Sequence, residues 1–511
     1  MNLSNNRYSI GKRFFVTFSS NILRGAINLL TGLMIARWLG PNDYGRMAFL
    51  LVSFLAFKQL LDMFSSSAFF TFISKEKRSN KFINLYWYWV AIQLFFSILV
   101  IYFLLPDSLL NALWKGEERA LVLLALVAVF FQNMVWTIAS NMGEACRETL
   151  YVQKIQNFIV LSHFLVMLLL WWLGQLVISF IFIALIVEWA LASWLVIKIY
   201  PRLESINGDD TAKSVFFEFW DYCLPFIPYV WLGALYIFTE RWMLQHWGGS
   251  VEQSYYAIAK QFGVIALLAT SSILNIAWKE ISEAYHNGDL KLVEKFYKNF
   301  SYALYLIGAI IAGYFIPWAL EILQLTVGSA YIDGVAVFML MLLYPVHQSM
   351  GQIGGMMLMA TSKTRLKAIL GVITMLVGIV TSYLMMAPTD SIIPGFGMAS
   401  KGLAIKMILV QIIEVNVLAW FIARNFNWKF EWLYQISILT IAISIGWLIK
   451  IILVSLIQVP FIFLMLLSGI IYFLILSYLI YFSPKIFGFK QEQIDYINSS
   501  ARKIKKVLSI K

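Results

Sequence analysis

Charge is what this chain has least of. Only 13% of its 511 residues are Asp, Glu, Lys or Arg, about half the share of a soluble domain. So few charges cannot solubilise a water-exposed globule, and the 61% hydrophobic content exceeds what one core can hide. Cysteine is nearly absent too: Cys146 and Cys223 stand far apart, with no CxxC spacing and no neighbouring histidine cluster. That scarcity argues against a disulfide framework or a metal site, and the two read as small buried hydrophobes. There is no GxxxxGK[ST] phosphate loop and no polar stretch long enough to house a nucleotide-binding domain, so an ATPase is excluded and no cofactor is expected.

What remains is a polytopic membrane protein. Apolar stretches of the roughly 20 residues needed to cross the hydrocarbon core recur along the chain. Fourteen are expected, from 14–38 and 46–66 to 433–456 and 460–482. The first is too long for a cleavable signal peptide. With the N-terminus inside, the loops on that face carry Lys75, Lys77, Arg78 and Lys81, then Lys279 to Lys298, then the basic tail after Lys485. The other face carries only Arg46, Lys115, Arg119, Lys260 and Lys401. Cytoplasmic loops retain Lys and Arg, so both termini are expected in the cytoplasm. The net charge of +12 then reflects topology, and nucleic acid is not an expected partner.

Arg37-Trp38 ends the first stretch and Arg241-Trp242 the seventh, and a basic loop follows the next span in each case. Each half also places a polar pair in its fourth span, Gln132-Asn133 and His347-Gln348. The matching order implies duplication: an N-lobe over 1–199, a linking loop over 200–218, a C-lobe over 219–424 and two additional spans over 425–484. Six spans return the chain to its starting side, so the lobes would be parallel repeats about an axis along the membrane normal. Segment 280–298 reads as an interfacial amphipathic helix, as does the 485–511 tail.

Ile35-Ala36-Arg37-Trp38-Leu39-Gly40-Pro41, followed by Tyr44-Gly45-Arg46-Met47-Ala48, resembles the N-terminal signature of the polysaccharide transporter family. Its Wzx members are O-antigen flippases, in a superfamily that also holds multidrug-and-toxin extruders and lipid II flippases. The resemblance implies a two-lobed helical bundle that exports an undecaprenyl-diphosphate-linked oligosaccharide across the bacterial inner membrane, with membrane lipids and polysaccharide-assembly proteins as partners. Leu61-Asp62-Met63-Phe64-Ser65 departs from the Asp-x-Gly-Leu that the resemblance implies at the end of the second span.

A charge at a helix centre in lipid costs at least ~2.5–3.5 kcal/mol, so each one needs a partner, water or a function. Asn21, Arg24, Asn28 and Thr31 recur at i, i+3, i+7 and i+10, one polar stripe on an apolar helix. The stripe reads as a cavity wall whose cation meets an anionic headgroup; the plainer reading is an Arg paired to a neighbouring helix. Lys58 and Asp62 are i, i+4 neighbours able to neutralise one another. Arg37 lies near the outer interface, where Arg can snorkel, and its repeat equivalent Arg241 suggests two cations facing one another. Arg24, Arg37, Lys58, Arg241 and Lys406, with Asn21 and Asn28, are the expected substrate-binding set. Asp62, Glu188 and Glu414 are candidates for coupling to a proton or sodium ion, although Glu188 reads better as a protonated structural residue. Pro225, Pro228 and Pro345 are hinge candidates, the last interrupting the tenth span. An organic-cation extruder would need an acidic cavity. A polysaccharide polymerase would need a large periplasmic loop, and an acyltransferase a buried His with a polar partner, which His163, beside Phe164, is expected to lack.

Overall fold

The computed structural model describes residues 10–199 and 210–487. The basic tail beyond 487 and most of the 200–218 loop lie outside the described residues, which are helical with no strand among them.

The chain begins with α1 (Ile10–Asp62), two helices joined at Gly40, whose φ of 76° and ψ of 170° are non-helical. That region of backbone space is open essentially to glycine alone, and Pro41 then starts the second half, where a missing N–H costs nothing. The motif that carried the family resemblance is therefore a corner between two spans. There follow α2 (Ser65–Lys75), α3 (Asn80–Leu99), α4 (Asp107–Leu113), α5 (Arg119–Phe130), α6 (Trp136–Ala145), α7 (Thr149–Trp172) and α8 (Ile178–Ile199). A π-turn over Phe131–Val135 joins α5 to α6 and holds the polar pair Gln132-Asn133. Next come α9 (Ala212–Cys223) and α10 (Ile227–Trp247), bent by 67°. Pro225 lies in that bend and Pro228 at the second residue of α10, where neither removes a helical hydrogen bond. The chain continues through α11 (Gly249–His286), α12 (Leu290–Phe315), α13 (Ala319–Thr326), α14 (Val335–Ala360), α15 (Thr364–Met386), α16 (Ala399–Phe426), α17 (Leu433–Leu456) and α18 (Phe461–Phe482).

Among the described residues ten helices are long and apolar enough to cross a membrane, or twelve with the bent pairs α9–α10 and α12–α13. The fourteen expected stretches all fall on these helices and on α11, because α1 holds two of them. The protein is an all-α, multi-pass membrane protein. Segment 280–298 is not a separate interfacial helix. It is the end of α11, a turn at Gly288 (φ 75°) and the start of α12, capped by Asp289 onto the Leu292 N–H. The amphipathic signal there came from two long helices leaving the apolar zone.

The described chain clusters into two compact units, 1–258 with 375–403 and 259–374 with 404–511. In the first, α1 packs against α10, α7 and α5, and α8 against α5, α6 and α7. Gly45 allows the first of these contacts to continue into α11: a Cβ there would overlap the backbone carbonyl of Ser250. Its core includes a stack of Phe69, Tyr86 and Phe219, with ring centroids 4.4 and 5.1 Å apart. In the second unit, α12 packs against α14 and α17. Gly313 and Gly446 bring α12 and α17 to backbone contact, the small-residue route to helix association in lipid. Pro345 does not interrupt α14, which runs unbroken from Val335 to Ala360. A Cβ on Gly263 of α11 would stand 3.4 Å from the Met341 carbonyl, the one that proline leaves without a helical donor, so the missing side chain lets α11 pack closely at the proline.

Candidate functional site

The polar stripe of α1 places Arg24 on the face that meets α7. Its side chain is buried, 8% exposed; Nη1 donates to Asn157 Oδ1 at 2.9 Å and Nη2 to Asn21 Oδ1. Asn157 in turn donates to Ser20 Oγ at 3.0 Å. Both acceptors are neutral amides, and among the described residues no carboxylate lies within ion-pair distance of Arg24. The arginine is thus bonded to a neighbouring helix yet not neutralised by it. Asn28 is exposed, and Thr31 is buried with its hydroxyl returned to the Ile27 carbonyl. Thr31 has turned inward to its own helix, so the working stripe is Asn21 and Arg24.

Arg241, on α10, is 5% exposed and is also held without a carboxylate. Its Nη1 donates to Gln253 Oε1 at 3.2 Å, Gln253 Nε2 donates back to the Arg241 carbonyl, and the guanidinium lies 4.3 Å from the Tyr256 ring centroid. A cation over a tyrosine face keeps its charge while gaining quadrupole attraction. The adjacent Glu240 receives Ser382 Oγ at 2.9 Å. Arg37, the repeat equivalent, is exposed, so the two Arg-Trp pairs have different environments: Trp38 stacks on Trp171 at 4.6 Å, whereas Trp242 donates to the Ala112 carbonyl.

Lys58 does meet Asp62, at 3.4 Å. Asp62 also accepts from the Ser66 N–H (3.0 Å) and from the Ser66 and Ser65 hydroxyls. The carboxylate thereby serves buried donors at the start of α2, just after a break where Met63 and Phe64 adopt left-handed backbone (φ 47° and 71°). In place of a glycine, two bulky residues hold that strained turn and Asp62 fastens it. Beside this break, Leu61, Tyr86, Trp89, Ile92, Phe216 and Trp220 contribute to an apolar cavity of about 340 Å³ with Asp62 and Ser65 at its polar edge. In the second unit Lys406 is 1% exposed and Glu414 lies on the same helix, α16.

The remaining described basic groups that form ion pairs include several at helix ends. Arg46 makes a two-pronged bond with Glu117, 2.8 Å at each oxygen, and Glu117 is 5% exposed. Removing Arg46 would therefore strand a buried carboxylate. Arg78 joins Glu218 and Arg119 joins Asp107. Lys450, absent from the expected set, meets Glu321 and the Pro317 carbonyl on α17's inner side.

One sequence expectation is reversed outright. His163 does have a polar partner: its Nδ1 lies 2.8 Å from Glu188 Oε2, across α7 and α8. Spacing hid this, because the two residues sit on consecutive spans whose relative rotation no periodicity reveals. No cluster of three or more His, Cys, Asp or Glu able to hold a metal occurs among the described residues.

No family model matches the sequence and no curated protein matches it. Solved structures do match the fold. The lipid II flippase MurJ in its inward closed conformation aligns with a TM-score of 0.70 at 15% identity, over 92% of this chain and 98% of that one. A multidrug resistance MATE family transporter in its inward-facing conformation aligns with a TM-score of 0.58 at 15% identity, over 78% and 95%. A MOP superfamily transporter from Pyrococcus furiosus Vc1 (DSM3638), whose binding pocket is described as reversed in polarity, gives 0.52 at 14% identity, over 81% and 95%. The helices that hold these buried arginines are thus arranged in the fold of the MOP superfamily transporters.

Proposed function

We propose that this protein is a flippase that moves an undecaprenyl-diphosphate-linked oligosaccharide, an O-antigen or related repeat unit, across the bacterial inner membrane by alternating access. The observation that carries this reading is that Arg24 and Arg241 are buried in membrane-spanning helices and held by amides and an aromatic face in place of carboxylates. Two unneutralised guanidinium groups suit a substrate with a diphosphate, whose oxygens accept bidentate charge-assisted bonds. Lys406, Lys58, Arg37, Asn21 and Asn28 are the further substrate-binding candidates. The apolar cavity beside Asp62 supports a substrate with a lipid chain, and the similarity to MurJ supports the same class. Both termini would lie in the cytoplasm, with the six-span lobes as the moving parts and Pro225 and Pro228, at the 67° bend, as hinge residues.

The alternative is an organic-cation extruder, for which the similarity to a MATE transporter speaks. Cations repel cations, so buried arginines without carboxylates disfavour it. The test is equilibrium binding of the purified protein to undecaprenyl-diphosphate-oligosaccharide and, in parallel, to lipophilic cationic dyes. Saturable binding of the first alone supports the flippase; saturable dye binding without lipid binding refutes it.

A further inference from the structure

His163 and Glu188 take no part in the cation sites, and each falls near the middle of its span, Thr149–Trp172 and Ile178–Ile199. The imidazole Nδ1 and the carboxylate Oε2 are 2.8 Å apart, and the other oxygen, Glu188 Oε1, is buried with no partner among the described residues. We propose that this pair is a proton-binding site at mid-membrane depth, and that the proton it takes up and releases is coupled to movement of the anionic substrate. The coupling half rests on the flippase reading; the proton site does not.

With neutral imidazole donating from Nδ1 to an ionised carboxylate, the pair carries one negative charge, part of it on the unsolvated Oε1. One added proton, on the carboxylate or on the imidazole, brings the pair to zero net charge. The buried Oε1, which has no donor among the described residues, offers that proton a place.

The charged state needs a counter-charge, and the neighbouring elements define which are at hand. Helices α7 and α8 pack against α1, α5, α6 and each other. Those elements, with the uncharged π-turn Phe131–Val135 that also meets α8, carry Arg24, Arg37, Asp43, Tyr44, Arg46, Lys58 and Asp62 on α1, Arg119 on α5, Glu144 on α6, Tyr151 and Lys154 on α7 and Lys198 on α8. None forms an ion pair with His163 or Glu188 among the described residues. Asp62, Arg46 and Arg119 are engaged elsewhere. Arg24 is the buried cation tied directly to α7, through Asn157, six residues before His163 and so about 9 Å along the helix axis. A deprotonated pair and a substrate diphosphate would compete for the field of Arg24, whereas a protonated pair leaves that field to the phosphate. Proton and anion therefore favour one another's binding, and the effect is reciprocal.

The test uses the full-length protein in liposomes, first without substrate. Infrared difference spectra between about pH 5 and pH 9 should show a protonated-carboxyl band that titrates in the wild type, is missing in Glu188→Gln, and titrates at a different pH in His163→Gln. Thermal unfolding of each variant identifies loss of fold, and if Glu188→Gln is unfolded the His163→Gln midpoint decides alone. A spectrum unchanged by Glu188→Gln, or a midpoint unmoved by His163→Gln, overturns the proton site. In the second arm undecaprenyl diphosphate is added in weak buffer with a pH dye. Proton uptake by the wild type and none by Glu188→Gln supports the coupling. Lipid binding without uptake overturns the coupling, whereas an intact carboxyl titration in a protein that binds no lipid diphosphate refutes the flippase reading and not the proton site.

Discussion

Removing the Arg24 guanidinium should abolish function at limited cost to folding, and the contacts give the size of both effects. In Arg24→Ala, Asn21 is exposed and can rehydrate, and Asn157 keeps its bond to Ser20. That bond uses Asn157 Nδ2, so its Oδ1 loses its donor and the loss to folding is about one charge-assisted hydrogen bond, ~1.5–3 kcal/mol, offset in part because an unneutralised cation no longer has to be desolvated. The substrate loses a charge-assisted hydrogen bond worth ~1.5–3 kcal/mol, a binding loss of about 10- to 150-fold. Arg24→Lys should fall between, since a point charge remains but cannot reach Asn21 and Asn157 as a planar fork does. The assay is complementation of polymer export in cells, with membrane levels measured in the same strains and lipid-diphosphate binding measured on purified protein. Normal export by Arg24→Ala, or failure only through disappearance of the protein, would show that the arginine serves packing and would sink the cation-site argument.

Arg46→Ala should destabilise the protein by about 1–3 kcal/mol, because Glu117 is left buried without its two-pronged partner; adding Glu117→Gln should restore part of the lost melting temperature. Gly45→Ala should lower the melting temperature by a comparable energy, about 1–3 kcal/mol, since its methyl would overlap the Ser250 carbonyl; an unchanged melting temperature would show that the two backbones are not in contact. Asp62→Asn should cost about 1 kcal/mol of stability while leaving the ion dependence of transport as in the wild type; loss of ion dependence at full stability would return Asp62 to the coupling role.

Span positions were legible in the sequence because an apolar run of about 20 residues has no other soluble or membrane fate, and α3, α7, α8, α17 and α18 lie where hydropathy puts them. The fold class followed from the same arithmetic. Less legible was where long helices begin and end. Hydropathy marks the apolar zone, but α11 and α12 continue past it as helices, which is why 280–298 resembled a separate amphipathic segment. Pro345 stays inside an unbroken helix, and the close approach of Gly263 at the Met341 carbonyl comes from another helix, which no local pattern reveals.

The site was legible where the signal stays on one helix and hidden where it crosses between two. The Asn21–Arg24 bond and the Lys58–Asp62 pair, at i+3 and i+4, were both open to reading from spacing. Asn157, Gln253 and Tyr256, which hold Arg24 and Arg241, lie on different segments from them, and no periodicity joins them. A signal was nonetheless present in composition: Asn157 and His163 are polar residues within an apolar span, as Glu188 is in the next, and each has a cost in lipid that some partner must meet. Taken together those three costs pointed to α7 as the helix that carries polar function. What the sequence could not say is that α7 presents Asn157 to Arg24 and His163 to Glu188, so that both inter-helix pairings run through one helix.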